Sequence, residues 1–281
     1  MREQIATYEP DNSIKKGLSL IFFEIYQEFR QSRYLMYKLF VRDFMSMNKQ
    51  SFIGVLWIFL MPLINVAIFV MLSRSGVLNI GEINVPYPIY AILGLAFWQL
   101  FSSGIISTGS SLVSAGDMIS RINFSKKSLV FSSMGRPIVS FFMQFILVAL
   151  LFAGYRILPS KGVVFIPIVL IPILLLTLSL GLLISILNAI VRDTGHLLSI
   201  SMTLLMYMTP VLYAKPQFGI LMRITDYNPM YYMLSAGRDL VLQGVIHDMS
   251  GFLWSFVGSF LLFVLSLVIF HLTETRIVER I

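Results

Sequence analysis

Apolar residues come in runs of bilayer length. Residues 52–73 carry no charge, and at about 1.5 Å per residue a helix of that length crosses a hydrocarbon core of about 30 Å. Further apolar runs occupy residues 87–115, 129–154, 163–191, 197–213 and 251–272. The pattern predicts an all-α integral membrane protein with six transmembrane helices. A different pattern precedes the first run. Phe29, Met36, Phe40 and Met47 recur at helical spacing, while Lys38, Arg42 and Lys49 fall on the opposite face. Residues 20–49 are therefore expected to form an amphipathic helix lying in the membrane interface. An ordinary helix packed on another protein surface has the same pattern. The chain then turns at Lys49-Gln50-Ser51 into the first span.

The segment between the fifth and sixth spans, residues 215–250, is not uniformly polar. Asn228 suits an N-cap, Pro229 the first helical position and Gly244 the stop. The apolar stretch 230–243 between them is too short to span, which predicts a re-entrant helix before the last span. Four segments result: a mobile tail at 1–19, the amphipathic helix at 20–49, a six-span domain at 50–272 and a charged tail at 273–281. Ser103, Ser107, Ser111 and Ala115, at four-residue steps in span 2, are expected to let a neighbouring helix approach closely.

Composition agrees. Of 281 residues, 57% are hydrophobic and only 12% charged, about half the charged share of a soluble domain. The net charge of +7 is unevenly spread. Most Lys and Arg fall on the side that would hold both termini, and no secretory signal pattern precedes the first run. The positive-inside rule thus predicts cytoplasmic termini. There is no cysteine, so neither a disulfide framework nor a thiolate metal site is available.

Several chemistries are missing. No G-x-x-x-x-G-K-[ST] phosphate loop occurs, and His196, His247 and His271 form no zinc-binding pair. No Asp or Glu lies in a span core, which counts against a proton- or sodium-coupled transporter. Any uphill transport must draw on another chain for energy.

Three ordered features resemble the transmembrane subunits of bacterial polysaccharide ABC exporters of the ABC-2 type, which serve O-antigen, teichoic acid and capsule export. One is Arg42-Asp43 followed by Gln50-Ser51-Phe52-Ile53-Gly54-Val55-Leu56-Trp57 and Pro62. Another is Pro86-Tyr87-Pro88 with Gly94 and Trp98. The third is Arg192-Asp193, then Pro210 and Tyr213, Asn228-Pro229, and Arg238 with Gly244. Many members place Phe-Pro-Arg where this chain has Phe124-Ser125-Lys126. The resemblance implies a homodimer in the bacterial inner membrane, joined to two copies of a separate ATPase. ATP and magnesium would be bound there, and no cofactor on this chain. The cargo would be a glycan on a polyprenyl pyrophosphate. Exporters of drugs or lipids, or a membrane enzyme acting on polyprenyl-linked sugars, are the competing readings.

On this resemblance Arg33, Lys38 and Arg42 are candidates for the carrier's pyrophosphate, against simple attraction to anionic lipid. Trp57, Tyr207 and Tyr213 are candidates to line a sugar path, since aromatic faces pack on pyranose C–H faces without fixing a register. The loop 117–128 carries the expected ATPase contact, with Ile122 and Phe124 as an apolar anchor flanked by Arg121, Lys126 and Lys127. Arg136 is expected to be structural, and Asn65 and Asn188 to bridge helices.

Overall fold

The computed structural model describes residues 18–46, 56–75, 81, 83, 85–121, 124–191 and 193–277. All regular structure among them is helical. The helices are α1 (Leu18–Ser46), α2 (Trp57–Arg74), α3 (Tyr87–Ser114), α4 (Gly116–Arg121), α5 (Lys127–Ser133) and α6 (Gly135–Gly154). A 3-10 turn (Lys161–Phe165) leads into α7 (Ile166–Ile190), followed by α8 (Thr194–Met208), α9 (Ile220–Asp226), α10 (Pro229–Leu242) and α11 (Met249–Ile277). The expected turn at Lys49-Gln50-Ser51 lies outside the described residues.

α3 is the axis of the bundle. Ile89, Ile92, Leu93, Phe97, Leu100 and Ile105 are fully enclosed, with α7 and α6 along α3 and α11 beyond α7. In lipid, helices gain little from apolar burial itself, so association depends on close contact. The α3–α7 seam supplies it. A Cβ at Gly181 would lie 1.9 Å from Thr108 Oγ1, and one at Gly104 would lie 2.4 Å from Thr177 Cγ2. Asn188 Nδ2 donates to Gly109 O at 3.1 Å across the same seam, the bridge expected for it.

Among the described residues, five helical segments are long and apolar enough to cross a membrane: α2, α3, α5 with α6, the 3-10 turn with α7, and α11. The fifth expected span is the exception. α8 has 15 residues, about 22 Å. It stops at Thr209, which is extended at φ −99° and ψ 134°. Pro210 explains this, because it lacks an N–H and forces the residue before it out of the helical region. Span 3 is interrupted at Met134, between α5 and α6. Pro137 removes the bond to the carbonyl four residues back, on Ser133, where α5 ends.

α1 is one helix of 29 residues, and its apolar line rests on protein. Ile21, Ile25 and Leu39 are buried, and Phe29 meets Phe131 of α5 edge-on at 4.6 Å. α10 has the expected ends. Asn228 Oδ1 accepts from the Met230 N–H at 3.0 Å, Pro229 opens the helix, and Gly244 takes φ 86°. It is packed against α11, α7 and α3.

Candidate functional site

The chain from Thr209 to Tyr213 runs without helix through the end of the bundle. An unwound segment there needs partners for its carbonyls. Side chains from α3 and α10 supply them in succession. Arg238 Nη1 donates to Pro210 O at 3.0 Å and its Nη2 to Val211 O. The Tyr87 hydroxyl donates to Leu212 O at 2.9 Å, and that of Tyr90 to Tyr213 O at 3.1 Å. Asn228 Nδ2 donates to Thr209 Oγ1 at 2.8 Å. Arg238 is 4% exposed and has no carboxylate partner among the described residues. Carbonyl dipoles stand in for one, together with the Tyr90 ring, whose centroid is 3.8 Å from Cζ. A Cβ at Gly94 would fall 1.9 Å from Arg238 Nη2, so only glycine admits the guanidinium. Tyr213 donates to Tyr207 O at 2.7 Å, and the Tyr207 ring is exposed. Just beyond, Lys215 pairs with Asp226 at 2.7 Å, and that hydrogen bond raises the ammonium above its ordinary pKa.

A charged cluster closes the opposite end. Lys127, 1% exposed, places its ammonium 2.7 Å from Glu28 Oε2 of α1 and against Glu274 Oε2 of α11. The Lys126 N–H donates to Glu274 Oε1 at 2.5 Å and the Ser125 hydroxyl to Glu28 Oε2 at 3.1 Å. His271 lies 3.4 Å from Glu24. Glu28, His271 and Glu274 present atoms within 4.8 Å of one another, a spacing that suits a metal ion. The Lys127 ammonium already supplies the cation both carboxylates need.

A cavity of about 360 Å³ opens between α2, α3 and α6. Trp57 and Pro62 form one wall, and Arg136 stands at another. Ser103 and Ser107, expected to pack, line this cavity, whereas Ser111 and Ala115 are buried.

Comparison with known proteins decides the family. Residues 34–242 match the model of the ABC-2 type transporter family. The chain belongs to the ABC-2 type transporter family. It is 29% identical over 188 residues to an O-antigen export system permease protein RfbA of Myxococcus xanthus, covering 66% of this chain and 71% of that protein. It is 26% identical over 243 residues to an RfbA of Klebsiella pneumoniae described in the same words, covering 85% of this chain and 91% of the relative. ABC-2 permeases of this kind are transport components, not enzymes.

Within this ABC-2 fold the residues singled out by sequence fall into separate places. Arg33, Lys38 and Arg42 are exposed on α1, Lys38 lying 5.4 Å from the Tyr34 ring and Arg42 paired with Asp43 at 2.9 Å. Trp57 joins the cavity, while Tyr207 and Tyr213 meet beside the unwound segment. The loop expected to dock the ATPase needs a correction. Lys127 does not flank it as a surface charge, because carboxylates from α1 and α11 enclose it, and Lys126 is 8% exposed. Phe124 remains half-exposed, with Lys126 Nζ 5.7 Å from its ring centroid. Ile122 and the Arg121 side chain lie outside the described residues. Sequence reasoning gave no role to Arg238, Gly94, Tyr87 or Tyr90. A signal for Arg238 was present: Leu234 and Val241, one helical turn either side, put it on the apolar face of its helix.

Proposed function

We propose that this chain is the membrane-spanning subunit of an ATP-driven exporter that moves a polyprenyl-pyrophosphate-linked polysaccharide across the bacterial inner membrane. It works as a homodimer beside two copies of a separate ATPase, with both termini cytoplasmic. The carrying observation is the match to O-antigen export permeases over 85% of the chain. The lack of a phosphate loop is consistent with hydrolysis on a partner.

On this reading α8 and the segment to Tyr213 together make the fifth of six crossings, with α10 turning back inside the outer half. Ser199, Thr203 and Tyr207 recur at four-residue steps on α8, and all three are exposed. A polar stripe on a span is poorly placed against lipid, so it faces the second copy and lines the glycan path, with Tyr213 at its outer end. The exposed basic face of α1, with Arg33, Lys38 and Arg42, is where the carrier's pyrophosphate is first received at the membrane surface, before it moves into the bundle. Phe124, with Ile122 and Arg121, docks on the ATPase.

Deleting the chain in its source bacterium tests this. Surface glycan should disappear, lipid-linked glycan should accumulate inside, and the tagged chain should retrieve an ATPase from native membrane. Undiminished surface glycan, or ATP hydrolysis by the chain alone, would overturn the reading.

A further inference from the structure

Two helices face the cavity between α2, α3 and α6 with matching polar ridges. On α3 the ridge is Gln99, Ser103 and Ser107, and on α6 it is Arg136, Ser140 and Gln144. Each advances by four residues, which keeps its members on one helix face. The ends pair at the deep side, where Gln144 Nε2 donates to Gln99 Oε1 at 2.5 Å. That bond uses one donor and one acceptor of the pair. Gln144 is 1% exposed, and its carbonyl oxygen is buried with no hydrogen-bond partner. The Gln99 amide nitrogen makes no hydrogen bond among the described residues. Arg136 is exposed and forms no ion pair among them. It sits eight residues, about 12 Å along the helix, from Gln144.

An unfilled amide acceptor, amide donors, hydroxyls and an unpaired guanidinium are costly to keep at membrane depth. Close packing of α3 is met elsewhere, by Gly104 and Thr108 on its other side. The lining also includes the aromatic rings of Trp57 and Phe141. The volume lies at the lower end of small-ligand sites, which run from about 300 to 1,000 Å³. It suits a saccharide of one or two rings, not a polymer.

We propose that this cavity binds a phosphate-linked saccharide. The phosphate rests on Arg136, sugar hydroxyls reach Ser140 and the Gln99–Gln144 pair, and a ring face lies on Trp57. The inference rests on the exporter reading, and it names the cavity as the place where the first sugars next to the carrier's phosphate are held. A phosphate on a sugarless lipid offers Arg136 the same chemistry, so the test separates the two sources.

Native mass spectrometry of the purified full chain in detergent would use three probes: a polyprenyl-pyrophosphoryl N-acetylhexosamine, the sugarless polyprenyl pyrophosphate, and phosphatidylglycerol. The sugar-bearing probe should be retained about tenfold more tightly than the sugarless one, as a few added hydrogen bonds would give. Arg136→Gln should weaken both pyrophosphates about tenfold. Gln144→Leu should bring the sugar-bearing probe down to the sugarless level. Thermal unfolding checks that each variant is folded. Where Gln144→Leu is not, Ser140→Ala, which leaves the amide pair in place, should reduce the same preference.

Equal retention of sugar-bearing and sugarless probes by the wild-type chain would overturn the proposal. So would phosphatidylglycerol binding as tightly as the sugar-bearing probe and with the same dependence on Arg136, which would make this a lipid-headgroup site. Surface glycan in deletion cells scores the exporter reading separately. Loss of display on deletion, with probe binding insensitive to the variants, sinks the cavity proposal alone.

Discussion

Arg238 and Lys127 are both buried cations, and they are satisfied in opposite ways. Arg238 uses neutral dipoles and an aromatic face, so its geometry matters more than its charge. Arg238→Lys keeps the charge but loses the fork that reaches two successive carbonyls. It should destabilise the purified protein by about 1–3 kcal/mol, read as a lower midpoint of thermal unfolding in detergent. Gly94→Ala should cost a similar about 1–3 kcal/mol by overpacking, since its Cβ meets both Arg238 Nη2 and Val211 O. If Gly94→Ala unfolds at the wild-type midpoint, the guanidinium is not held against Gly94. Lys127 uses charge directly. Lys127→Met leaves the Glu28 and Glu274 carboxylates without the ammonium between them, at a cost of about 3–5 kcal/mol. Adding Glu28→Gln and Glu274→Gln should recover much of that loss. A triple variant no more stable than Lys127→Met would show that the carboxylates are satisfied by something other than Lys127.

The broken helices carry the element-scale story. Pro210 keeps α8 from continuing, and three side chains then bind the freed carbonyls. Pro210→Ala restores an N–H whose natural acceptor is the Met206 carbonyl, in an extended α8. That pulls the segment away from Arg238 and Tyr87. The variant should insert normally, resist heat less than wild type and export more slowly, measured as surface glycan in cells. Normal export would mean that the unwinding after α8 is incidental. Much of the helix layout was readable from local signals. Asn228, Pro229 and Gly244 bounded α10 to within a residue, and the apolar runs located α2, α3, α7 and α11. What failed locally was the effect of proline on neighbours. Pro210 and Pro137 were visible, yet the ends they impose at Thr209 and Ser133 fall inside apolar runs that read as continuous. What no local signal reports is long-range pairing. Lys127 finds Glu28 and Glu274 across 99 and 147 residues, so it read as one more loop charge. The serines of α3 repeat at one spacing, and only the position of α6 separates those that pack from those that line a cavity.

At the scale of the whole molecule, the bundle leaves α2 and α8 poorly covered. α2 buries only Pro62 and Val66, and α8 only Leu198 and Met202, whereas α3 is enclosed along most of its length. An exposed apolar face on α2 is tolerable in lipid. The polar stripe Ser199, Thr203 and Tyr207 on α8 is not well served there, because hydrocarbon offers those hydroxyls no partner beyond their own helix. A second copy packed on α8 would enclose the stripe between two chains. Closed two-fold assembly brings the same patch of each copy together, so one position on α8 meets its own equivalent or its near neighbours. The chain has no cysteine, which makes single replacements clean reporters. Thr203→Cys should crosslink to its counterpart in native membranes with a short bifunctional thiol reagent, giving a band of twice the monomer mass. Trp254→Cys should not, since its exposed side chain is on α11, which packs against α7 and α10. Adding the carrier-linked glycan should slow the Thr203→Cys reaction if the stripe lines the path. Crosslinking through α11 and none through α8 would place the second copy on the other side of the bundle, and the stripe would then need a different polar partner.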